Sequence, residues 1–599
     1  MILFGCKHRK IDLTKEKERN MILQTDRQTD RQTEHELTGF PSIDKPWLKY
    51  YSEEAINSEL PECTIYEYLW DSNKNHLKDT ALIYFDKKIS YQDLFEEIEK
   101  TAKALINLGV GKDDVVTVIT VSCVNSVVLF YALNRIGAVS NYINVLASAE
   151  EYEKYCRNAE SEYVFVLDLF AEKAVTAIDQ IGHGKVCVFS LADYMPFPIS
   201  VMYGLKMRKL KQYKNENVIN WKEFLRKAEK NNSLPQIHDC REVSIYAHTS
   251  GTTGFPKTVL HTDYAYNAVA KQYSLCFKHD RNEIFLNMIV PFVTYGMLTC
   301  MHMPLCLGLT LVLIPKYDAN DLSKYIRKYH PKHMLGIPSY FIPMLSDEKM
   351  KNMDLSCIDT LGAGGEGFTE KIEKECNKFL HEHNSKANVL MGYGLTEVCS
   401  SAITEFNEHT KTGSVGIPLV KNSIRVWNNE QNRECSYDEQ GEVQICSPSL
   451  MRGYKEEDMN EILQMDEQHN VWLKSQDIGF IDKDGFLHIS GRMKRFLILG
   501  PNGMAYKVLP KPIEEVIASD MAVEEVCVIA TQNEQGTGAE PKAFIVLKEA
   551  EDIDNTLKRL KEKCKDQLPD YMRPFSYVIL DALPKNAVGK TDVKALEEM

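Results

Sequence analysis

The segment YAHTSGTTGFPKTVLHT, residues 246–262, combines short hydroxyl side chains, glycines and one lysine in a loop-like run. Hydroxyls, closely approaching peptide N–H groups and a compact positive charge suit an anion with many oxygens, typically phosphate. A polar surface turn is the alternative that this composition allows equally well. A nucleoside-triphosphatase P-loop does not match, because that motif needs glycine directly before its lysine. The candidate ligands are Thr249, Ser250, Gly251, Thr252, Thr253, Gly254 and Lys257.

Four later stretches of the sequence favour the phosphate site over the surface turn. They are GAGGEG (362–367), MGYGLTE (391–397), WLKSQDIGFIDKDGFLHISGRMK (472–494) and LPKNAVGK (583–590). With the first segment, in this order and at these separations, they closely resemble the adenylate-forming superfamily. That superfamily contains acyl-CoA synthetases, peptide-synthetase adenylation domains and firefly luciferase. The resemblance covers residues 45–599, so the whole chain except its beginning is expected to share the family's fold.

The resemblance implies that the enzyme joins a carboxylic acid to ATP, releases pyrophosphate and keeps an acyl adenylate. A thiol such as that of coenzyme A then displaces AMP. The loop 249–257 resembles the family's phosphate loop, which holds the β- and γ-phosphates. Thr396 is expected to bond the α-phosphate, and Glu397 is expected to hold Mg²⁺. ATP, Mg²⁺ and coenzyme A are therefore the expected cofactors and substrates.

The same resemblance assigns the nucleoside contacts. Tyr393 is expected against the adenine ring, Asp477 is expected to accept bonds from both ribose hydroxyls, and Arg492 is expected to donate to the ribose. Ser475 and Gln476 stand where the family usually has Thr-Gly, but the aspartate is kept. The segment expected on the adenine side consists of Gly364, Gly365 and Glu366.

Two lysines near the C-terminus complete the implied machinery. Lys590 matches the family's catalytic lysine, whose charge offsets the repulsion between the carboxylate and the α-phosphate. Lys494 falls at the family's hinge, about which a small domain rotates between the two half-reactions. The segment after this hinge, with Gly500 and Gly503, is longer than usual by a few residues, which leaves thiol selectivity open.

The composition of the chain bears on the number of its domains, its partners and its cellular compartment. The 599 residues require more than one domain, and the net charge of −14 argues against nucleic acid as a partner. The sixteen cysteines form no Cys-x-x-Cys pair, which favours free thiols in a reducing, cytoplasmic location. Residues 1–40 read as a disordered polar tail without a secretory signal, and Met21 is an alternative start.

The elements that must position these residues follow from periodicity. Strands and helices alternate from about residue 60 to 400, as in the strand-like runs 114–120 and 163–167 and the amphipathic run 125–136. Beyond residue 410 short strands with turns prevail, and Asp484-Gly485 predicts a hairpin. Helices are predicted around residues 513–517 and 556–567.

The predicted fold class is α/β. A large N-terminal domain, residues 41–493, is expected to contain two α/β subdomains plus a small β-barrel, and a mobile α+β domain, residues 494–599, follows it. Residues 284–315 carry no formal charge, but prolines and glycines break them into short pieces. Buried strands and a helix are therefore predicted there, and no transmembrane segment.

The acid is predicted to have an uncharged tail. Relatives that activate amino acids need a carboxylate to pair the substrate's ammonium group, and residues 284–315 contain neither Asp nor Glu. Acetate-activating relatives carry tryptophan just before the Thr-Glu pair, whereas Gly392 and Tyr393 stand here, which predicts a deeper pocket. A medium- to long-chain fatty acid or an aryl acid fits. The leading function is an acid:CoA ligase of fatty acid metabolism, and the alternative is an enzyme that loads a separate carrier protein.

Overall fold

The structure is a computed structural model of the chain. It describes residues 37–207, 217–226, 228, 238–249, 255–365, 368–406, 408–456, 461–495, 497–499, 506–532, 539–548, 552–585 and 591–599. Within these ranges no helix is both long and apolar enough to cross a membrane. Every cysteine that the structure describes is free.

The helices and strands are numbered here along the chain. The α-helices are α1 Pro41–Asp44, α2 Glu53–Asn57, α3 Ile65–Asn73, α4 Tyr91–Leu108, α5 Val124–Arg135, α6 Ala149–Ala159, α7 Ala171–Ile181, α8 Ile199–Met207, α9 Trp221–Arg226, α10 Asp263–Cys276, α11 Met303–Cys306, α12 Leu322–Tyr329, α13 Pro338–Phe341, α14 Glu370–Glu382, α15 Lys511–Ala518, α16 Ile553–Gln567 and α17 Val593–Glu597. The strands are β1 Thr80–Tyr84, β2 Lys87–Ser90, β3 Val115–Ile119, β4 Val139–Tyr142, β5 Tyr163–Leu167, β6 Lys185–Phe189, β7 Val218–Asn220, β8 Val243–His248, β9 Thr258–Thr262, β10 Ile284–Asn287, β11 Thr310–Leu313, β12 His333–Gly336, β13 Thr360–Gly364, β14 Val389–Tyr393, β15 Ile403–Thr404, β16 Ile417–Pro418, β17 Ser423–Asn428, β18 Arg433–Glu434, β19 Gly441–Cys446, β20 Gly453–Tyr454, β21 Leu463–Met465, β22 Val471–Ile481, β23 Leu487–Arg492, β24 Leu497–Leu499, β25 Tyr506–Val508, β26 Val523–Gln532, β27 Ala539–Leu547 and β28 Ser576–Ile579.

The first large sheet has eight strands in the order β20-β9-β8-β4-β3-β5-β6-β7. Its strands from β8 to β7 run parallel to their neighbours, and β9 and β20 add antiparallel pairs at one edge. The strands predicted over 114–120 and 163–167 are β3 and β5. The helix predicted over 125–136 is α5, but it is not amphipathic, because every residue from Val124 to Asn134 is buried.

The second large sheet has nine strands in the order β16-β15-β14-β13-β12-β10-β11-β1-β2, with parallel pairs from β14 to β1. The uncharged run 284–315 supplies its strands β10 and β11, as predicted. Between them lies a π-helix, Tyr295–His302, which continues into α11. Tyr131 on α5 bonds His302 on this π-helix at 3.0 Å, so α5 is buried between the elements of the two sheets.

A third sheet is antiparallel and has six strands, β18-β17-β19-β22-β21 with β23 on β22. The predicted hairpin is confirmed: Asp484 and Gly485 join β22 to β23, and Gly485 takes the left-handed conformation that this turn requires, with φ of 95°. The strand pairs of the described residues form an open order, so the small barrel expected here is not confirmed.

The last hundred residues have a core of their own. Strands β26, β27 and β28 form a three-stranded sheet, and Leu499, Ile513, Ile517 and Leu560 are fully buried with it in one cluster. The helices predicted around 513–517 and 556–567 are α15 and α16. The α/β class, with a large N-terminal part and a smaller C-terminal one, is therefore confirmed.

Candidate active site

The site starts where two adjacent parallel strands end. β13 and β14 pair in register, with Gly364 opposite Gly392, and ligands of parallel sheets usually bind beyond such carboxyl ends. A Cβ added to Gly364 would lie 3.1 Å from the carbonyl oxygen of Gly392. Gly365 follows with φ of 82°, which glycine adopts without strain. This pair of glycines therefore gives a turn with no side chain over the strand ends.

Tyr393, the last residue of β14, reaches the third sheet. Its hydroxyl donates to Oδ2 of Asp477 at 2.5 Å, and Nε of Arg492 donates to Oδ1 of the same carboxylate at 2.9 Å. Asp477 is buried, with 3% of its surface exposed. Burial, followed by the neighbouring Asp477 carboxylate, raises the pKa of the Tyr393 phenol well above its ordinary value. Each carboxylate oxygen has two lone pairs, so Asp477 can accept further hydrogen bonds from two ligand hydroxyls.

Ser475 and Gln476, which stand where the family usually has Thr-Gly, form a local turn that orients Asp477. Oγ of Ser475 donates to the carbonyl of Val443 at 2.7 Å and accepts the backbone N–H of Asp477 at 3.0 Å. Gln476 takes a left-handed φ of 60°, and the pairing of β19 with β22 shifts register beside it. The aspartate is thus aimed by a bulge rather than by a regular strand.

The segment after Tyr393 turns sharply. A Cβ on Gly394 would lie 1.6 Å from the backbone oxygen of Ser400, so no other residue fits there without moving the backbone. Thr396 and Glu397 then form a short 3-10 turn that ends at Cys399, whose φ is 55°. The carbonyl of Glu397 accepts the N–H of Met451 at 2.9 Å, which fixes the turn against the segment before β20.

The described ends of the predicted phosphate loop close on each other. The N–H of Thr249 donates to the carbonyl of Lys257 at 3.1 Å, and Oγ1 of Thr249 accepts the N–H of Lys257 at 3.1 Å. The strands on either side of the loop, β8 before Thr249 and β9 after Lys257, form an antiparallel pair. Ser250, Gly251, Thr252, Thr253 and Gly254 lie outside the described residues.

Tyr454 connects this loop to Glu397. Nζ of Lys257 lies 4.6 Å from the centre of the Tyr454 ring, and the Tyr454 hydroxyl donates to Oε1 of Glu397 at 2.6 Å. Tyr454 is held there because β20 pairs with β9 and places it opposite Val259. The sequence reasoning missed this residue, since no spacing relates it to Lys257 or Glu397.

The structure therefore brings two groups of predicted residues together at the two ends of the segment 393–397. Tyr393, Asp477 and Arg492 meet at its start, and Glu397 and Lys257 meet through Tyr454 at its end. Glu366 and Lys590 lie outside the described residues. Lys494 belongs to the 3-10 turn Met493–Arg495, of which the backbone is described.

The residues at Glu397 fit a magnesium ion that a substrate completes. Among the described residues no group of three or more His, Cys, Asp or Glu side chains could hold a metal. Mg²⁺ is usually bound through one or two carboxylates together with waters and phosphate oxygens. The single carboxylate of Glu397, which Tyr454 orients, matches that donor set.

Residues 284–315 carry no formal charge, and their one histidine, His302, is held neutral by its surroundings. His302 is buried between Tyr131 and Asn267, and burial lowers its pKa to about 3. A Cβ added to Gly392 would lie at an ordinary contact distance, 3.6 Å, from Oγ1 of Thr404, and the deeper acyl pocket stays a prediction. That direction leads to the neighbouring strand β15.

Comparison with known proteins gives a family match over most of the chain. The sequence profile of the family described as AMP-binding enzyme matches residues 69–455. The profile described as AMP-binding enzyme C-terminal domain matches residues 512–590. Together they cover the described site residues except Asp477, Arg492 and Lys494, which lie between the two matches.

Individual relatives agree with this match. The chain is 28% identical over 558 residues to the long-chain-fatty-acid–CoA ligase of Bacillus subtilis, covering 91% of this chain and 96% of the relative. It is 26% identical to the 2-succinylbenzoate–CoA ligase of Bacillus licheniformis, covering 85% and 95%. The crystal structure of a benzoate CoA ligase from Burkholderia xenovorans superposes with a TM-score of 0.74 at 20% identity, covering 89% and 99%. This last likeness concerns the fold.

Proposed function

The chain belongs to the family of AMP-binding enzymes, the ATP-dependent ligases that form adenylates, and from that membership we propose that it is an acid:CoA ligase. It activates a carboxylic acid as the acyl adenylate and transfers the acyl group to coenzyme A. The relatives in the comparison that carry CoA-ligase names, at 28% and 26% identity over most of the chain, support this acceptor.

One observation carries the proposal. Tyr393 and Glu397 lie four residues apart on one segment, and each is bonded to a different half of a nucleotide site. Tyr393 bonds the buried Asp477, which suits the ribose, and Glu397 bonds Tyr454 beneath the Lys257 cation, which suits the phosphates. A nucleoside polyphosphate laid along this segment meets both sets of partners.

In the first step a carboxylate oxygen of the acid bonds to the α-phosphorus of ATP. The bond from that phosphorus to the oxygen bridging to the β-phosphate breaks, and pyrophosphate leaves with the electron pair. Lys257 and the hydroxyls of the loop 249–254 would hold the leaving phosphates, Thr396 the α-phosphate, and Glu397 the magnesium ion. When bound there, Mg²⁺ offsets charge on the phosphate oxygens. Lys590 would stabilise the reacting carboxylate and α-phosphate.

In the second step the sulfur of coenzyme A bonds to the acyl carbonyl carbon, and the bond from that carbon to the AMP oxygen breaks. The thiol proton passes to solvent, and AMP leaves with the electron pair. The family's rotation about Lys494 would bring a second surface to the adenylate for this step. Two neighbouring arginines support a hinge here, since Arg492 pairs with Asp477 of β22, whereas Arg495 pairs with Glu514 of α15 at 3.6 Å.

The substrate class that we propose is an acid with an uncharged tail, either a medium- to long-chain fatty acid or an aryl acid. The run 284–315 has no Asp or Glu, and its buried His302 is neutral, so the described residues of this run offer no charge to a substrate ammonium group. No observation on the described residues favours a carrier protein over coenzyme A as acceptor. A cytoplasmic location stays a prediction.

Acid-dependent exchange of pyrophosphate into ATP tests the proposal. Acids of two to sixteen carbons, benzoate-type acids and amino acids are supplied with the enzyme, and thioester formation is then measured with coenzyme A. We expect exchange with apolar acids and thioester with coenzyme A. Asp477→Asn should abolish exchange, while Glu439→Gln, which breaks the exposed pair with Arg433 near the same sheet, should not. Exchange with amino acids alone, or none with any acid, would refute the proposal.

A further inference from the structure

Helix α8 and the residues before it expose apolar side chains to an unusual degree. Phe197 is 82% exposed, Met202 69% and Leu205 56%. Ile199 and Val201 are 41% and 47% exposed. We call this set of five the α8 face. Single exposed apolar residues need no explanation, but five within nine positions form a patch of the kind that marks an interaction site.

The inner side of α8 is anchored to the protein. The Tyr203 hydroxyl donates to Oδ1 of Asp168 at 3.5 Å, and the Tyr203 ring packs on the main core. Leu169, next to Asp168, is itself 52% exposed and so extends the apolar surface. Tyr203 therefore anchors the helix, while the five side chains of the α8 face remain exposed.

The sequence around the α8 face separates apolar from cationic residues. Residues 194–205 carry no charge, and residues 206–214 carry five cations and no anion, in a chain whose net charge is −14. The cations are Lys206, Arg208, Lys209, Lys211 and Lys214. An apolar helix followed directly by a basic cluster is the pattern of segments that lie in the interface of anionic membranes.

We propose that the α8 face docks the enzyme on the surface of an anionic lipid bilayer. Two observations favour lipid over protein. A second copy on the same face would bring two identical cationic stretches together, and like charges repel. A different protein would need hydrogen bonds, about one per 100–200 Å² of interface, but in the stretch FPISVMYGL only Ser200 and Tyr203 have polar side chains, and Tyr203 is bonded inward.

The position of the α8 face leaves the candidate active site accessible. α8 follows β6, and in the sheet order β6 lies four strands away from β8, where the phosphate loop begins. At about 4.8 Å per strand, the strands β6 and β8 are about 19 Å apart. With nine residues, α8 is too short to span a bilayer and fits one that lies in the interface. The inference does not depend on which acid the enzyme uses.

Vesicle binding of the full-length protein without ATP or acid tests this. Sedimentation with vesicles of phosphatidylcholine containing phosphatidylserine is compared with phosphatidylcholine alone. We expect binding to the anionic vesicles that weakens with salt. Met202→Gln with Leu205→Gln should bind about tenfold more weakly. The matched control, Met465→Gln with Met521→Gln, removes side chains that are 63% and 79% exposed elsewhere and should bind like wild type.

Hydrogen exchange of the wild-type protein gives a second measurement that needs no variant. Anionic vesicles should slow amide exchange in residues 197–205 and leave residues 519–523 unchanged. Absence of wild-type binding, equal binding by the two double variants, or protection only outside residues 197–205 would overturn the proposal. So would a concentration-dependent dimer that the α8-face variant abolishes without any change in vesicle binding, because the face would then cover a second copy.

Discussion

Replacing Tyr454 with phenylalanine isolates the hydrogen bond that connects the predicted phosphate loop to Glu397. The hydroxyl donates to Oε1 of Glu397 at 2.6 Å, and Nζ of Lys257 lies 4.6 Å from the ring centre. Phenylalanine keeps the ring under the lysine and removes only the donor. The carboxylate would then be free to rotate away from the position at which we propose that it meets the metal and phosphates.

The magnitude follows from the type of bond. A hydrogen bond to a charged group contributes about 1.5–3 kcal/mol, and a difference of about 1.4 kcal/mol changes a rate about tenfold. Glu397 is only half-buried, so the lower value applies and we expect kcat/KM for ATP to fall about tenfold. Tyr454→Leu also removes the cation–π contact, which adds about 0.5–1 kcal/mol and about a further two- to fivefold loss.

The assay is pyrophosphate exchange over a range of Mg²⁺ concentrations, since a poorly held Glu397 should raise the concentration needed for half-maximal rate. Tyr66→Phe is the matched control: Tyr66 bonds Glu99 at 2.6 Å, and the Arg135 guanidinium lies 5.3 Å from its ring. Its loss should lower stability without changing the exchange rate. An exchange rate for Tyr454→Phe within twofold of wild type, or equal losses in both variants, would refute the reasoning.

Three further predictions can be tested directly. Lys590→Ala should slow adenylate formation about 10²–10³-fold and affect thioester formation from supplied acyl adenylate much less; equal losses would contradict the rotation. Deletion of residues 1–38 should leave activity and melting temperature nearly unchanged, because that segment lacks apolar periodicity. Burial raises the pKa of Glu405 from 4.5 to about 7, so its stabilising contribution is complete below 4.5 and is lost as the pH rises through about 7. Melting temperature should therefore fall from pH 5 to 8, and a Glu405→Gln variant with the same pH dependence would contradict this.

Much of the fold could be predicted because local patterns matched local structure. The runs 163–167 and 513–517 fall on β5 and α15, and Asp484-Gly485 forms the turn that its sequence requires. The helix α5 shows the limit. Its type was predictable, but its burial was not, because Tyr131 meets His302, which lies 171 residues away in the chain. The hydrophobic periodicity of a sequence can indicate that one face of a helix is buried. It does not indicate whether distant parts of the chain also cover the opposite face.

Some residues of the candidate site could also be predicted from the sequence, and others could not. Motif resemblance predicted Asp477 as a ribose contact, and in the structure a local bulge at Gln476 places this carboxylate beside Tyr393 and Arg492. Tyr454 could not be found, because its contact depends on β20 pairing with β9, a pairing that also bonds Thr258 to Glu456 across 198 residues of sequence. The position of Gly392 on a strand was predictable, whereas the direction of its Cβ, towards Thr404 of β15, depends on the pairing of β14 with β15.

The hinge links these observations to the order of the two half-reactions. Arg492 is tied to Asp477 and belongs with the nucleotide contacts, whereas Arg495, three residues later, is tied to Glu514 in the C-terminal part. The proposed rotation between these two arginines would leave the proposed ribose contacts of Asp477 in place and would move the residues after Lys494. In the proposed mechanism the adenylate would thus stay bound by Asp477 and Tyr393, while Lys590, whose proposed role ends when pyrophosphate leaves, would move away. Among the described residues, the proposed rotation would have to break polar contacts such as those of Lys371 to the carbonyls of Ala518 and Asp520 at 3.3 and 3.0 Å, and polar contacts of this kind exchange readily for water.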